Sequence, residues 1–152
     1  MTDGSIERAC ERLVFDFAFF SDRQDYESLV SLFTSDGTMV RPSGAPLTGR
    51  AAILESYRSR PAERMTRHIC TNVRITVEST DRARGLTYAL LYTANAKEPV
   101  EGHFGLKADA SHLVGEFDEE SAKAMHLDAR LVRHGVTNQR DAFFHRKQRL
   151  FG

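Results

Sequence analysis

The chain has 152 residues, 41% of them hydrophobic, with 21 basic side chains against 21 acidic ones. That length suits one domain, 1–152, with one core, and the balanced charge offers no field to attract nucleic acid or an anionic membrane surface. Cys10 and Cys70 show no CxxC or CxxH spacing, and neither a secretory leader nor a long apolar run is present, so a soluble cytoplasmic protein with reduced thiols and no metal is expected.

In chain order, Ile6, Cys10, Leu13, Phe17 and Phe20 recur at helical steps behind an N-cap candidate, Ser5, which predicts a first helix from Ile6 to about Phe20. Phe15 and Phe19 fall off that stripe and are expected to face a partner. After the break Ser21-Asp22-Arg23-Gln24, Asp25 can cap a second helix carrying Tyr26, Leu29, Val30 and Phe33. The triplet Ser35-Asp36-Gly37 reads as a turn into a short strand, Thr38–Arg41, followed by a loop with Pro42, Gly44 and Pro46. Thr48 can cap a third helix, Arg50–Ser59, with Ile53, Leu54 and Tyr57 on its buried side and Pro61 beyond its end.

The next stretch, Thr66 to Val77, alternates. From Ile69 the odd positions Ile69, Val73, Ile75 and Val77 are apolar apart from Thr71, while His68, Cys70, Asn72, Arg74 and Thr76 are mostly polar. This is the period of a half-buried strand, with His68 on its mixed face. There His68 is either a solvated surface ring or, if covered, a titratable group of a site. A turn at Ser79-Thr80-Asp81-Arg82 leads into a second strand, Ala83–Ala94, where Leu86, Tyr88, Leu90 and Tyr92 lie opposite Leu91. A loop over Asn95–Ser111 follows. His112–Phe117 and Leu127–Arg133 read as strands separated by the charged Asp118–Lys123, then a turn from Gly135 to Asp141 and a last strand, Ala142–Phe151, whose basic His145–Arg149 cluster is read as solvated.

Three helices followed by strands make an α+β pattern, with the helices gathered on one face of a curved, mostly antiparallel sheet and a pocket between them. The segments Phe20–Leu29, Leu32–Gly37, Gly49–Ile53, Thr66-Arg67-His68 and Thr71-Asn72 resemble the SnoaL-like branch of the nuclear-transport-factor-2-like superfamily, with order and spacing matching to about Ala94. The resemblance implies a cone-shaped, cystatin-like fold, commonly a homodimer. Its relatives include scytalone dehydratase, ketosteroid isomerase, polyketide cyclases and the small subunits of ring-hydroxylating dioxygenases.

What the resemblance implies for residues is narrower. Asp22 stands where the dehydratases carry a pocket aspartate, and His68 where they carry a general acid/base histidine. Phe17 and Leu91 stand where two further polar groups are expected, and the Asp-Gly-Trp hairpin is absent, since the chain has no tryptophan. The implied pocket would be lined by Phe17, Tyr26, Tyr57, Cys70 and Leu91. Removing a proton beside an activated carbon wants a base, and a carboxylate next to an imidazole orients it. Without such a role, Asp22 is an ordinary helix-end residue.

Other chemistries find less support. Gly102-His103-Phe104-Gly105 forms neither GxGxxG nor a P-loop, and the six histidines lack HExxH spacing. The expectation is therefore a cofactor-free lyase or isomerase acting on a small hydrophobic molecule, with a non-catalytic binding or assembly module as the alternative.

Overall fold

The computed structural model describes residues 3–41, 45–97, 106, 108–109, 113–123 and 129–137, the last two stretches by their backbone. Helix α1 (Asp3–Arg23) lays Cys10, Leu13, Val14, Phe17 and Ala18 inward, as the helical spacing of these residues requires, and leaves Phe15 and Phe19 exposed. Helix α2 (Tyr26–Ser31) begins at the expected cap, where the Asp25 carboxylate accepts the Ser28 N–H at 3.1 Å.

Helix α3 (Arg50–Arg58) buries Ile53 and Tyr57 as expected, but its N-cap is Gly49 rather than Thr48. Gly49 has φ +84, and its N–H donates to Gly37 O at 2.8 Å, so the helix entry is set by a left-handed glycine pinned to the neighbouring strand. Around these helices the core gathers Leu13, Phe17, Leu29, Val30, Leu32, Phe33, Met39, Ile53 and Tyr57.

The strands are β1 (Phe33–Val40), β2 (Leu47–Thr48), β3 (Arg64–Val77), β4 (Arg82–Asn95), β5 (Leu113–Lys123) and β6 (Ala129–Thr137). They form one sheet in the order β2-β1-β6-β5-β4-β3, antiparallel except where β1 runs parallel to β6. Helix α1 lies across β3, β4 and β6.

Several boundaries differ from the sequence reading: α1 runs on past Phe20 to Arg23, α2 ends at Ser31 so that Phe33 opens β1 instead of lying on the helix, and Leu47–Thr48 forms a short strand where a loop was expected. Ser35-Asp36-Gly37 lies inside β1, where the register against β6 shifts between Phe33 and Thr38, so the turn residues mark an irregularity and not an end. The charged Asp118–Lys123 continues β5. Charge does not forbid this, because the register sets Glu120 between Arg84 and Arg133, an alternation of sign at paired positions. Residues 135–137, expected in a turn, complete β6 against Glu116–Asp118. The expected last strand, the basic cluster and most of the 95–111 loop lie outside the described residues.

The most consequential difference lies in β3. Thr71 pairs with Tyr88 and Arg74 with Leu86, so β3 uses one more residue than β4 over this interval, and Asn72 takes φ 53. This bulge inverts the alternation. Before it, Thr66, His68 and Cys70 face the same side as Val73, Ile75 and Val77 after it, together with Ala83, Thr87, Ala89 and Leu91 of β4. Ile69, expected inside, is instead 47% exposed, and Tyr88 at 42% shares its outer face.

Candidate functional site

The site begins where α1 stops. Gln24 adopts φ 58, its N–H donates to Ser21 O at 3.2 Å, and the N–H of Asp25 donates to Phe20 O at 3.0 Å. These two bonds close the helix with a left-handed residue. A glutamine pays strain for that conformation, and its side chain offsets it: Nε2 donates to Ala62 O at 3.1 Å and to Arg64 O at 2.8 Å. The end of α1 is thereby tied to the start of β3.

That tie sets Asp22 over the inward face of β3. The Asp22 Oδ1 lies 2.6 Å from His68 Nδ1 and accepts the Thr66 hydroxyl at 2.8 Å, while Oδ2 accepts the backbone N–H of His68 at 2.8 Å. Both side chains are largely covered, at 14% and 10% exposure. Burial by itself would raise the Asp22 pKa, but the hydrogen bonds from the ring and backbone of His68, its charge, and the Thr66 hydroxyl together outweigh burial and hold the carboxyl below its ordinary value. Asp22 is thus an ionised carboxylate with a fixed orientation. An acceptor at Nδ1 selects the tautomer that carries its proton there, so proton exchange with a substrate would run through Nε2.

The remaining expected residues fall into two groups. Leu91 is the cross-strand partner of His68, so it adjoins the ring on the same face, and Cys70 follows His68 on that face. Phe17, Tyr26 and Tyr57 sit farther toward the helices. Phe17 is a core residue, edge-on to Phe33 with ring centroids 6.1 Å apart. Tyr26 stacks at a tilt on Tyr57 at 5.2 Å. Tyr57 is 3% exposed, and its hydroxyl shares hydrogen bonds with Ser21 and Arg41. Burial pushes that hydroxyl above its usual range, against the pull of Arg60 and Arg41, which keeps it neutral.

Thr66 and Gln24 did not emerge from the sequence as members of the site. Thr66 had a usable signal, since it precedes His68 by two positions and must share its face. Gln24 had none, because its role depends on a backbone conformation. A cavity of about 240 Å³ is lined by Met65, Thr66, Arg67, Tyr92, Thr93, Ala94, Leu106 and Ala108, and so adjoins the site at Thr66. Among the described residues, no three His, Cys, Asp or Glu side chains converge as a metal site would require.

Helices gathered on one side of a mostly antiparallel sheet, the first of them over a buried carboxylate–imidazole pair, make an α+β fold of the kind described as NTF2-like and cystatin-like in solved structures. The model of the SnoaL-like domain matches residues 5–133, and the chain belongs to that family. Among solved structures, a candidate scytalone dehydratase from Novosphingobium aromaticivorans is similar at TM-score 0.70 and 23% identity, over 85% of this chain and 80% of that one. An NTF2-like protein with a cystatin-like fold from the same organism gives TM-score 0.65 and 22% identity, over 85% and 79% of the two chains. A candidate dehydratase of the NTF2-like family from Streptomyces avermitilis gives TM-score 0.71 and 16% identity, over 90% and 99%. At these identities the likeness is one of fold. No curated protein matches the chain.

Proposed function

We propose that the protein is a cofactor-free lyase or isomerase that moves a proton on a hydrophobic polycyclic, aromatic or steroid-like molecule held between the helices and the inner face of the sheet. The observation that carries this reading is the 2.6 Å contact between Asp22 Oδ1 and His68 Nδ1, buried beneath α1 and held by two further hydrogen bonds to the carboxylate. In the reaction, Nε2 takes a proton from a carbon made acidic by a neighbouring carbonyl or aromatic system. The imidazolium that forms is stabilised by the Asp22 carboxylate, and the same nitrogen returns the proton to another carbon or to a departing hydroxyl.

Leu91 beside the ring supplies no second acid, so isomerisation or elimination of an activated group is favoured over dehydration of an unactivated alcohol. The test is turnover on a panel of such substrates in deuterated water. His68→Ala should lower the rate and solvent-deuterium incorporation by about 10²–10⁴-fold, the usual worth of a positioned base. A variant as fast as the wild type would leave the binding-module reading in its place.

That second reading, a non-catalytic module resembling dioxygenase small subunits, draws on the outer face. Ile69 and Tyr88 are exposed there, with Leu90 paired to Ile69. We propose that this face joins two copies of the chain, since a stripe of exposed apolar side chains on a sheet is costly in water. A species of monomer mass in sedimentation at micromolar concentration would reject that. A cytoplasmic setting fits a chain whose two cysteines show no CxxC or CxxH spacing, and no helix of the described residues is long and apolar enough to cross a membrane.

A further inference from the structure

The end of α3 carries a cluster that the acid–base reading does not use. Arg41, just past β1, and Arg60, just past α3, both place their guanidinium carbons over the ring of Tyr57, at 4.9 and 4.1 Å from its centroid. Both arginines are half-buried. Arg41 commits one amino group to Ser56, donating to its carbonyl at 3.4 Å and its hydroxyl at 2.9 Å, and also bonds the Tyr57 hydroxyl. Among the described residues, no carboxylate lies within ion-pairing distance of either guanidinium, and that of Arg60 meets no hydrogen-bond acceptor.

Two positive charges that influence each other, partly withdrawn from water and without an acid among the described residues, form an arrangement that a fold does not favour for stability alone. The neighbouring charge of Arg64 adds to the repulsion on Arg60. Contacts with the ring of Tyr57 soften the cost, because an aromatic ring attracts a cation lying over it. They do not supply acceptors for the guanidinium donors.

We propose that Arg60, with Arg41 beside it, binds the carboxylate of a small organic acid. No acceptor among the described residues engages the planar fork of Arg60, whose donors match the two oxygens of one carboxylate. Arg41 has part of its donor set committed and adds a second positive charge. A phosphate dianion presents more acceptor positions than these donors fill. The site lies toward the same end of α1 as the buried pair, because Tyr57 bonds Ser21, the neighbour of Asp22 in sequence. It binds whether or not His68 performs chemistry, so the two readings fail separately.

The experiment measures binding of benzoate, its neutral counterpart benzamide, and inorganic phosphate to the full chain by calorimetry at neutral pH and low salt. Chemical shifts of the arginine Nε–H groups are followed in parallel. Benzoate should bind and move the Arg60 Nε–H resonance, while benzamide and phosphate bind at least about tenfold more weakly, the scale of a charge-assisted hydrogen bond. Arg60→Gln should weaken benzoate by about 10–100-fold, with Arg60→Lys recovering part of the loss and circular dichroism confirming that each variant is folded. His68→Ala should leave benzoate affinity unchanged. The proposal is overturned if benzoate does not bind at about 10 mM, binds no better than benzamide or phosphate, or binds a folded Arg60→Gln variant as well as wild type.

Discussion

The two halves of β3 are one strand doing different jobs with opposite patterns. Before Asn72 the inward positions are even and polar, Thr66, His68 and Cys70, and they meet the Asp22 carboxylate or lie beside it. After Asn72 the inward positions are odd and apolar, Val73, Ile75 and Val77, each half-buried on that face. Without the extra residue one of the two halves would turn its set outward. The comparison shows how a short backbone irregularity lets one strand set the polar partners of Asp22 and a row of apolar side chains on the same face.

The largest way to break the comparison acts on chemistry in the first half only. His68→Ala should abolish most turnover, by about 10²–10⁴-fold, and should also lower the thermal unfolding midpoint, because the buried Asp22 carboxylate loses its ring partner. Asp22→Asn comes next, and it acts on stability as well. The amide can still accept the His68 backbone N–H, but it replaces an ionised acceptor that also serves Thr66 and the imidazole. A loss of about 1–3 kcal/mol at neutral pH is expected, measured by urea unfolding.

The pH dependence of that loss follows from the direction of the shift. The Asp22 carboxyl is held below its ordinary value of 3.8, so the folded state binds its proton less tightly than the unfolded chain does. Its stabilisation is fully present above the unfolded value and disappears as pH falls through the folded one. The stability gap between wild type and Asp22→Asn should therefore narrow below pH about 4. A gap that stayed constant down to the acid unfolding transition would show that the carboxylate is not held in its charged form by these partners.

A smaller effect bears on the bulge. Asn72→Val places a β-branched residue at φ 53, where asparagine is tolerated and valine is not, and should cost about 1–2 kcal/mol. The equivalent change at Val73, to Ala, removes apolar contact and leaves the alternation alone. Nuclear Overhauser contacts between His68 and α1 should persist in Val73→Ala, and should weaken in Asn72→Val if the strand relaxes toward unbroken pairing.

Much of this was legible in the sequence because it rests on periodicity. The helical spacing of Cys10, Leu13, Phe17 and Phe20, the Asp25 cap, and the hairpin closed between Glu78 and Arg82 are local features, and the chain folds as they indicate. Asp22 and His68 could be paired through the family resemblance. The bulge was not legible, since a polar Asn72 in an alternating strand looks like one more outward residue until its φ is known. The extent of β5 was hidden by charge, because Asp118–Lys123 resembles a solvated connection unless its cross-strand partners are in view. Arg41 and Arg60 are far apart in sequence and converge only because β1 and α3 meet over Tyr57.

The smallest expected effect concerns how the first half of β3 is held against α1. Gln24 carries two opposing contributions: a left-handed backbone that disfavours a side chain by roughly 1 kcal/mol, and two hydrogen bonds to Ala62 O and Arg64 O that compensate. Gln24→Ala keeps the first and loses the second, so it should destabilise by about 1 kcal/mol, the net worth of such bonds at a half-buried site. Gln24→Gly loses both together and should lie within about 0.5 kcal/mol of wild type, because glycine adopts the left-handed region freely. The two variants also separate stability from alignment. If the side-chain bonds hold β3 in place against α1, both should loosen the Asp22–His68 contact, seen as faster exchange of the His68 ring N–H, although only the alanine variant unfolds more readily. Equal stability of the two variants would mean that the left-handed backbone at position 24 carries no strain for a side chain to offset.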